Sequence, residues 1–315
     1  MSDRSAAAVA LDSLPEGAQS GTDPVALQFE ELASRYAGRD LANAMSVDVE
    51  DYFQVSAFEN TVDRSEWSGL PSRVQANVHR ILDLFDEHDT KATFFTLGWV
   101  CRSFPQLVRE IVSRGHELGS HGYDHKRVWS LGPEKFAKDT RDTKALLEDV
   151  GGTAVIGYRA PSFSIGNQSL WAYDILADAG FEYSSSVFPI QHDHYGLPDA
   201  PRFPFRVLPA DILEIPMSTV RWGGRNFPCS GGGWFRLLPF MYSKHSVRRI
   251  NRSDRMPAMF YFHPWEMDPD QPRVSDLPLK SRFRHYVNLD RFEARLSKLL
   301  DDSRWSRIDS VYLER

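Results

Sequence analysis

The segment Ala44-Met45-Ser46-Val47-Asp48-Val49-Glu50-Asp51-Tyr52-Phe53 constrains this chain more than any other. It opens as a short apolar run of the kind that forms a buried strand. It then sets Asp48, Glu50 and Asp51 within four residues, where that strand should end. Like charges this close repel and raise one another's pKa unless a cation sits among them. A strand running into a solvated acidic loop would account for the stretch taken alone. Residues further along, His121, His125, Arg159 and His263, shift the balance towards a site.

Downstream, strand and helix patterns alternate with short links. Val74, Val78, Ile81, Leu82 and Phe85 recur at three- and four-residue steps, which predicts an amphipathic helix over 72–88. Lys91 to Leu97 reads as a strand, and Phe104 to Arg114 as a helix with Pro105 in its first turn and Gly115 past its end. Glu117 to His121 and Val155 to Arg159 read as strands, and Pro133 to Val150 and Ser169 to Ala179 as helices. The rhythm predicts the α/β class, a parallel sheet with helices outside, closed or nearly closed. Each functional candidate then falls at the C-terminal end of a strand, where such a barrel gathers its site.

After Tyr183 the rhythm is lost. Ile212 to Val220, Trp222 to Phe227 and Ala258 to Phe262 read as strands, Ser230 to Gly233 as a flexible or tightly turned loop, and Leu289 to Leu300 as a closing helix. Residues 1–40 read as a tail, disordered to about Thr22 with a short helix from Asp23 towards Tyr36, and 41–315 as a single body.

The composition, 42% hydrophobic and 25% charged over 315 residues, is that of a soluble globular enzyme. A net charge of -6 gives no basic field for nucleic acid, and Lys244 to Arg255 and Lys280 to Arg284 read as solvated faces. Cys101 and Cys229 stand far apart and fit free thiols in a reducing compartment. With neither a signal-peptide pattern nor a transmembrane run, the expected location is cytoplasmic.

His121 and His125 are four apart in Ser-His-Gly-Tyr-Asp-His. On a helical turn both imidazoles would share one face and one metal. Two imidazoles and one carboxylate leave open coordination for water, the build of a catalytic zinc-like site. Arg159 ends a strand, and beside Asp48 it could hold and orient that carboxylate. His263 follows an apolar strand, and facing a metal it is a natural general acid.

In order, Ser46 to Asp51, Ser120 to His125, Arg159-Ala160-Pro161 and Phe262-His263 resemble the motifs of the polysaccharide deacetylase family. These are the metal-dependent carbohydrate esterases of the NodB homology domain, related to the rhizobial chitooligosaccharide deacetylase. The resemblance runs from about Ala42 to Pro264. Val47 to Phe53 and Phe262-His263-Pro264-Trp265-Glu266 further resemble the subgroup found with bacterial exopolysaccharide export and exosortase systems, in which a C-terminal extension, here about 189–315, completes the domain.

The resemblance implies a distorted (β/α)7-type barrel and hydrolysis of the N-acetyl group of an amino sugar in an exopolysaccharide or its precursor. It also implies one divalent metal, zinc being the expected ion, an N-acetylated saccharide as partner, and association with export machinery. Asp48 would be the general base, His263 the general acid, and Arg159 the residue that orients Asp48. His121 and His125 would hold the metal with Glu50, which shares a strand face with Asp48. If the chain turns at Val49, Asp51 takes that role. The family's acidic partner for the acid histidine is missing, and Asp211 or Glu214 stands in for it. Tyr52, Phe53, Phe163, Trp222, Trp234 and Trp265 are aromatic candidates for a sugar groove, with core packing preferred for most. The His192-Asp193-His194-Tyr195 cluster could form a second metal site, but a substrate loop or plain surface is the preferred reading. An allantoinase-like amide hydrolase of the same fold, and a non-catalytic carbohydrate-binding member of an export system, are the alternatives.

Overall fold

The computed structural model of the chain describes residues 32–36, 41–192, 195–275 and 277–313. The expected tail therefore lies outside the described residues except for 32–36, which are helical, and so do Asp193 and His194. The strands are β1 Asn43–Val49, β2 Thr93–Thr96, β3 Glu117–Ser120, β4 Gly157–Tyr158, β5 Tyr183–Ser184, β6 Phe205–Val207, β7 Ile212–Glu214, β8 Thr219–Trp222, β9 Arg225–Pro228, β10 Met259–Phe262 and β11 Trp305–Ser306. The α-helices are α1 Val74–Glu87, α2 Gly98–Ser103, α3 Pro105–Ser113, α4 Val128–Gly151, α5 Ala172–Asp178, α6 Gly232–Leu237, α7 Phe240–Arg249, α8 Leu279–Tyr286 and α9 Phe292–Asp302.

One sheet runs in the order β10-β1-β2-β3-β4-β5-β7-β6. All its neighbours are parallel except β6 on β7, and β11 pairs with the start of β1. Every residue of β1, β2, β3 and β10 is buried, as expected of parallel strands covered on both faces. The sheet is a curled half-barrel, because its end strands β10 and β6 are not hydrogen-bonded to each other among the described residues. The chain beyond β7 bridges the gap at one point, where Met259 N–H donates to Ser218 Oγ at 2.7 Å.

The helices take the positions their apolar faces predict. Val74, Val78, Ile81, Leu82 and Phe85 of α1 join the main core. The expected strand over 212–220 splits, since β7 ends at Glu214 and β8 with β9 forms a separate antiparallel hairpin. The helix expected from Pro133 begins at Val128 and is interrupted at Gly132 (φ 71°, ψ 167°). Ser230 to Gly233 is no flexible loop, because α6 starts at Gly232 inside it.

Neighbouring strands fill the middle of the curl. Phe95 of β2 packs into space that Gly119 of β3 leaves open, and the Arg159 guanidinium lies 4.2 Å from the Phe95 ring centroid. A Cβ on Gly119 would meet Phe95 Cδ1 at 2.5 Å and the Gly157 carbonyl oxygen at 3.3 Å. Gly119→Ala should therefore cost about 1–3 kcal/mol of stability by overpacking. Urea denaturation checks this, and an unchanged midpoint would mean that Phe95 has room to move.

Candidate active site

β1 ends by delivering its carboxylates in different directions. Pairing stops at Val49, and the chain turns there, with Glu50 N–H donating to the Asp48 carbonyl at 3.0 Å. Asp51 Oδ2 accepts from Ser72 Oγ at 2.6 Å and from the backbone N–H groups of Arg73 and Val74 at 2.9 and 3.1 Å. It thus satisfies donors at the start of α1, where a carboxylate is favoured by orphan N–H groups and the helix dipole. Asp51 is occupied as a helix anchor, so the turn at Val49 does not hand it the metal-facing position.

Glu50 faces His121 and His125. One ligand atom from each of these residues lies within 4.8 Å of the others, and all three are buried. His121 Nδ1 lies 2.8 Å from the Arg159 carbonyl, a bond in which the ring donates and leaves Nε2 as the acceptor. Burial first, against the Asp48 charge, pushes the His121 imidazole down to about 4, so it is neutral, as a metal ligand must be. The pair does not share a helical turn, contrary to expectation. Residues 121–127 are irregular, and a left-handed His125 (φ 58°) brings its ring to 5.4 Å from that of His121.

Glu50 Oε2 and His125 Nε2 approach to 3.0 Å, yet Oε2 is buried with no hydrogen-bond donor among the described residues. A divalent cation between these two atoms would take both as ligands. Burial opposes the Glu50 charge, but His125 beside it and His263 beyond hold its pKa down at about 2. An ionised carboxylate, a neutral imidazole and an orphaned inward oxygen fit a divalent metal with open positions.

Asp48 is held on one side of this cluster. The fully buried Arg159 donates through Nη1 to Asp48 Oδ1 at 2.6 Å and to Ser46 Oγ at 2.8 Å. Its Nε and Nη2 reach the Ser185 carbonyl and Oγ at 3.0 and 2.9 Å. On the other side stands His263, just past β10, its Nε2 3.6 Å from Glu50 Oε1.

The acidic partner of His263 is Glu266. Its Oε2 lies 3.1 Å from His263 Nδ1 and accepts the His263 backbone N–H at 3.0 Å. Glu266 Oε1 accepts from Arg236 Nε at 2.8 Å, and both side chains are buried. Burial disfavours the charged forms of His263 and Glu266, yet the partners win. Glu266, Glu50 and Asp48 lift His263 to about 9, while Arg236 and His263 hold Glu266 below the usual carboxylate range. Asp211 and Glu214 are engaged elsewhere: Asp211 lies 3.6 Å from Arg206, and Glu214 accepts from Tyr173 and from the Ser186 and Val187 amides. Helix α6 comes so near that a Cβ on Gly232 would fall 1.8 Å from Glu266 Oε2, which explains a glycine at that position. The sequence did carry a signal for Glu266: a proline followed by an acid three residues past a capping position is a helix-start pattern. Nothing in it pointed to Arg236, thirty residues away.

Of the aromatic candidates, Tyr52, Phe53, Phe163 and Trp265 are buried. Trp222 is 57% exposed, at the tip of the β8–β9 hairpin. Both cysteines are buried free thiols.

Comparison with known proteins bears on the family and the fold. Residues 61–184 match the polysaccharide deacetylase family, and residues 185–313 match a domain of unknown function (DUF3473). A peptidoglycan deacetylase of Helicobacter pylori is 29% identical over 113 residues, 36% of this chain and 38% of that protein. A peptidoglycan-N-acetylglucosamine deacetylase of Bacillus cereus is 34% identical over 94 residues, 30% of this chain and 34% of that protein. The chain thus spans little more than a third of the length of these relatives. A solved structure from Mycobacterium smegmatis, assigned to the polysaccharide deacetylases, superposes with a TM-score of 0.59 at 18% identity, over 96% of this chain and 94% of that one. It shows the fold.

Replacing each carboxylate by alanine separates their roles. Asp51→Ala should lose about 1–3 kcal/mol of stability through unpaired buried donors and keep the Glu50–His121–His125 cluster. Glu50→Ala should abolish zinc uptake. Calorimetric zinc titration beside thermal melts checks both, and lost binding in Asp51→Ala would reverse the assignment.

Proposed function

Because the chain carries a polysaccharide deacetylase domain, joined to a second matched region, we propose that it is a metal-dependent hydrolase that removes N-acetyl groups from amino sugars of a bacterial exopolysaccharide or its precursor. One observation carries the reading: a buried Glu50–His121–His125 cluster stands between an Arg159-held Asp48 and a Glu266-held His263. A proton acceptor and a proton donor thus flank one cation position, the arrangement that amide hydrolysis requires.

Glu50, His121 and His125 hold the divalent ion, zinc being the ion that two imidazoles and a carboxylate suit. When bound, the metal supplies Lewis acidity to the acetyl carbonyl and lowers the pKa of water. Asp48, oriented by Arg159, takes a proton from the attacking water. A backbone N–H in the 161–163 turn stabilises the developing oxyanion. The resemblance puts this donor near Pro161-Ser162; Pro161 has no N–H and that of Phe163 goes to the Ala160 carbonyl at 3.0 Å, which leaves the Ser162 N–H as the candidate. His263, protonated on Nε2 and held through Nδ1 by Glu266, gives its proton to the leaving amine. The products are acetate and the free amino sugar.

The non-catalytic reading rested on a missing acidic partner for His263. Glu266 fills that place and favours the enzyme. The proposal also keeps the expected cytoplasmic site of action, on a precursor before export and beside the export machinery. Cell fractionation tests that clause, and activity confined to the culture supernatant would remove it.

Metal content and acetate release, measured together on N-acetylglucosamine oligomers, test the reaction class. One divalent ion and chelator-sensitive acetate release are expected, and chelator-resistant release would exclude this chemistry. Asp48→Asn should retain metal and lose about 10²–10⁴-fold in kcat, the usual worth of a general base. In Glu266→Gln, His263 loses the neighbouring charge that raises its pKa. The protonated donor then disappears at lower pH as pH rises, so the alkaline limb of the kcat profile moves acidward. A limb that stays put would deny His263 the donor's role.

A further inference from the structure

Trp265 touches Glu50, His263 and Arg236, and the steps above give it nothing to do. Its indole Nε1–H donates to Glu50 Oε1 at 3.2 Å. Two imidazoles stack on its ring, His263 at 5.2 Å and 19° and His285 at 4.1 Å and 15°. The Arg236 guanidinium lies 5.3 Å from its centroid. The side chain is buried, so it is no sugar platform.

The indole bond makes the two oxygens of Glu50 unequal. Oε1 has a donor, while Oε2, nearest His125, has none among the described residues. A carboxylate left to rotate would present either oxygen or both. A donor fixed on Oε1 leaves Oε2, the oxygen nearest His125, to face the cation position, the kind of outer-shell bond that orients metal ligands. The same bond bears on the proton donor. His263 Nε2 lies 3.6 Å from Oε1, close to hydrogen-bonding range. Without the indole, Nε2–H would be the donor nearest Oε1, and a carboxylate turned towards His263 would draw the proton meant for the leaving amine.

We propose that Trp265 is a positioning residue for Glu50. Its N–H occupies Oε1, reserves Oε2 for a divalent cation and keeps Nε2 of His263 clear of the carboxylate. The inference rests on the metal reading given above and adds a residue to it.

Trp265→Phe keeps a stacked ring and removes only the donor. Zinc affinity, read by competition with a chromophoric chelator, should weaken by about 10–100-fold, the usual worth of an outer-shell partner. The melting temperature of the chelated protein should stay within a few degrees of wild type. Unchanged zinc affinity in Trp265→Phe would overturn this inference alone. A wild-type protein that takes up no zinc would remove the metal reading and this inference with it. Should Trp265→Phe fail to fold, the wild type carries the test through its indole N–H resonances. With ¹⁵N-tryptophan, one of the eight tryptophans should respond both to Glu50→Gln and to stoichiometric zinc. If none does, Trp265 does not hold Glu50.

Discussion

The site is built around a charge that would be ruinous if left unpaired. Arg159 is fully buried inside the curled sheet, and removing the partner of a buried charge costs about 3–5 kcal/mol. The fold surrounds its guanidinium with Asp48 and Ser46 from β1, and with the carbonyl and hydroxyl of Ser185 just past β5. Phe95 of β2 supplies an aromatic face. Because strands on both sides of β4 meet at one side chain, the curl and the placement of Asp48 are a single constraint. The Arg159 carbonyl also accepts from His121, so the residue that holds Asp48 sets the tautomer of His121 as well.

The other wall repeats this device with different residues. Arg236 is buried against Glu266 and donates to the carbonyls of Arg284, His285 and Val287. Glu266 holds His263 as Asp48 is held by Arg159, with one further link. Each reactive group is thus tied to a buried arginine whose other donors are spent on backbone or hydroxyl oxygens. Such pairs add little net stability, since desolvation offsets the attraction. What they supply is orientation, which catalysis needs more.

Much of this was legible in the sequence because strand ends and reactive residues coincide there. β1, β3, β4 and β10 announced themselves by apolar runs, and Asp48, His121, Arg159 and His263 stood at or next to their C-terminal ends. The choice of Glu50 over Asp51 came from strand alternation, although β1 stops one residue earlier and the chain turns. Alternation could name the residue but not the turn, because Asp51 is drawn away by donors of α1 that are twenty-one to twenty-three residues distant. The histidine pair suggested a helix, because spacing of four is helical and a loop with left-handed His125 leaves no periodic trace. Tertiary partners left no local signal at all, which is why Arg236 and the donor role of Trp265 appeared only in three dimensions.

The distribution of these residues along the chain decides how the two matched regions relate. Residues 61–184 contain His121, His125 and Arg159. Asp48 and Glu50 precede that stretch, while His263, Trp265, Glu266 and Arg236 all fall within 185–313. Neither stretch alone holds Asp48, the Glu50–His121–His125 cluster and His263. β10 lies directly against β1, with Val47 paired to Phe262, so the acid-bearing strand from the second region is hydrogen-bonded to the carboxylate-bearing strand before the first. Sheet register alone therefore brings Asp48 and His263 one residue past the same paired rung. Region 185–313 is then structurally part of the site, because the strand that closes on β1 cannot form without it.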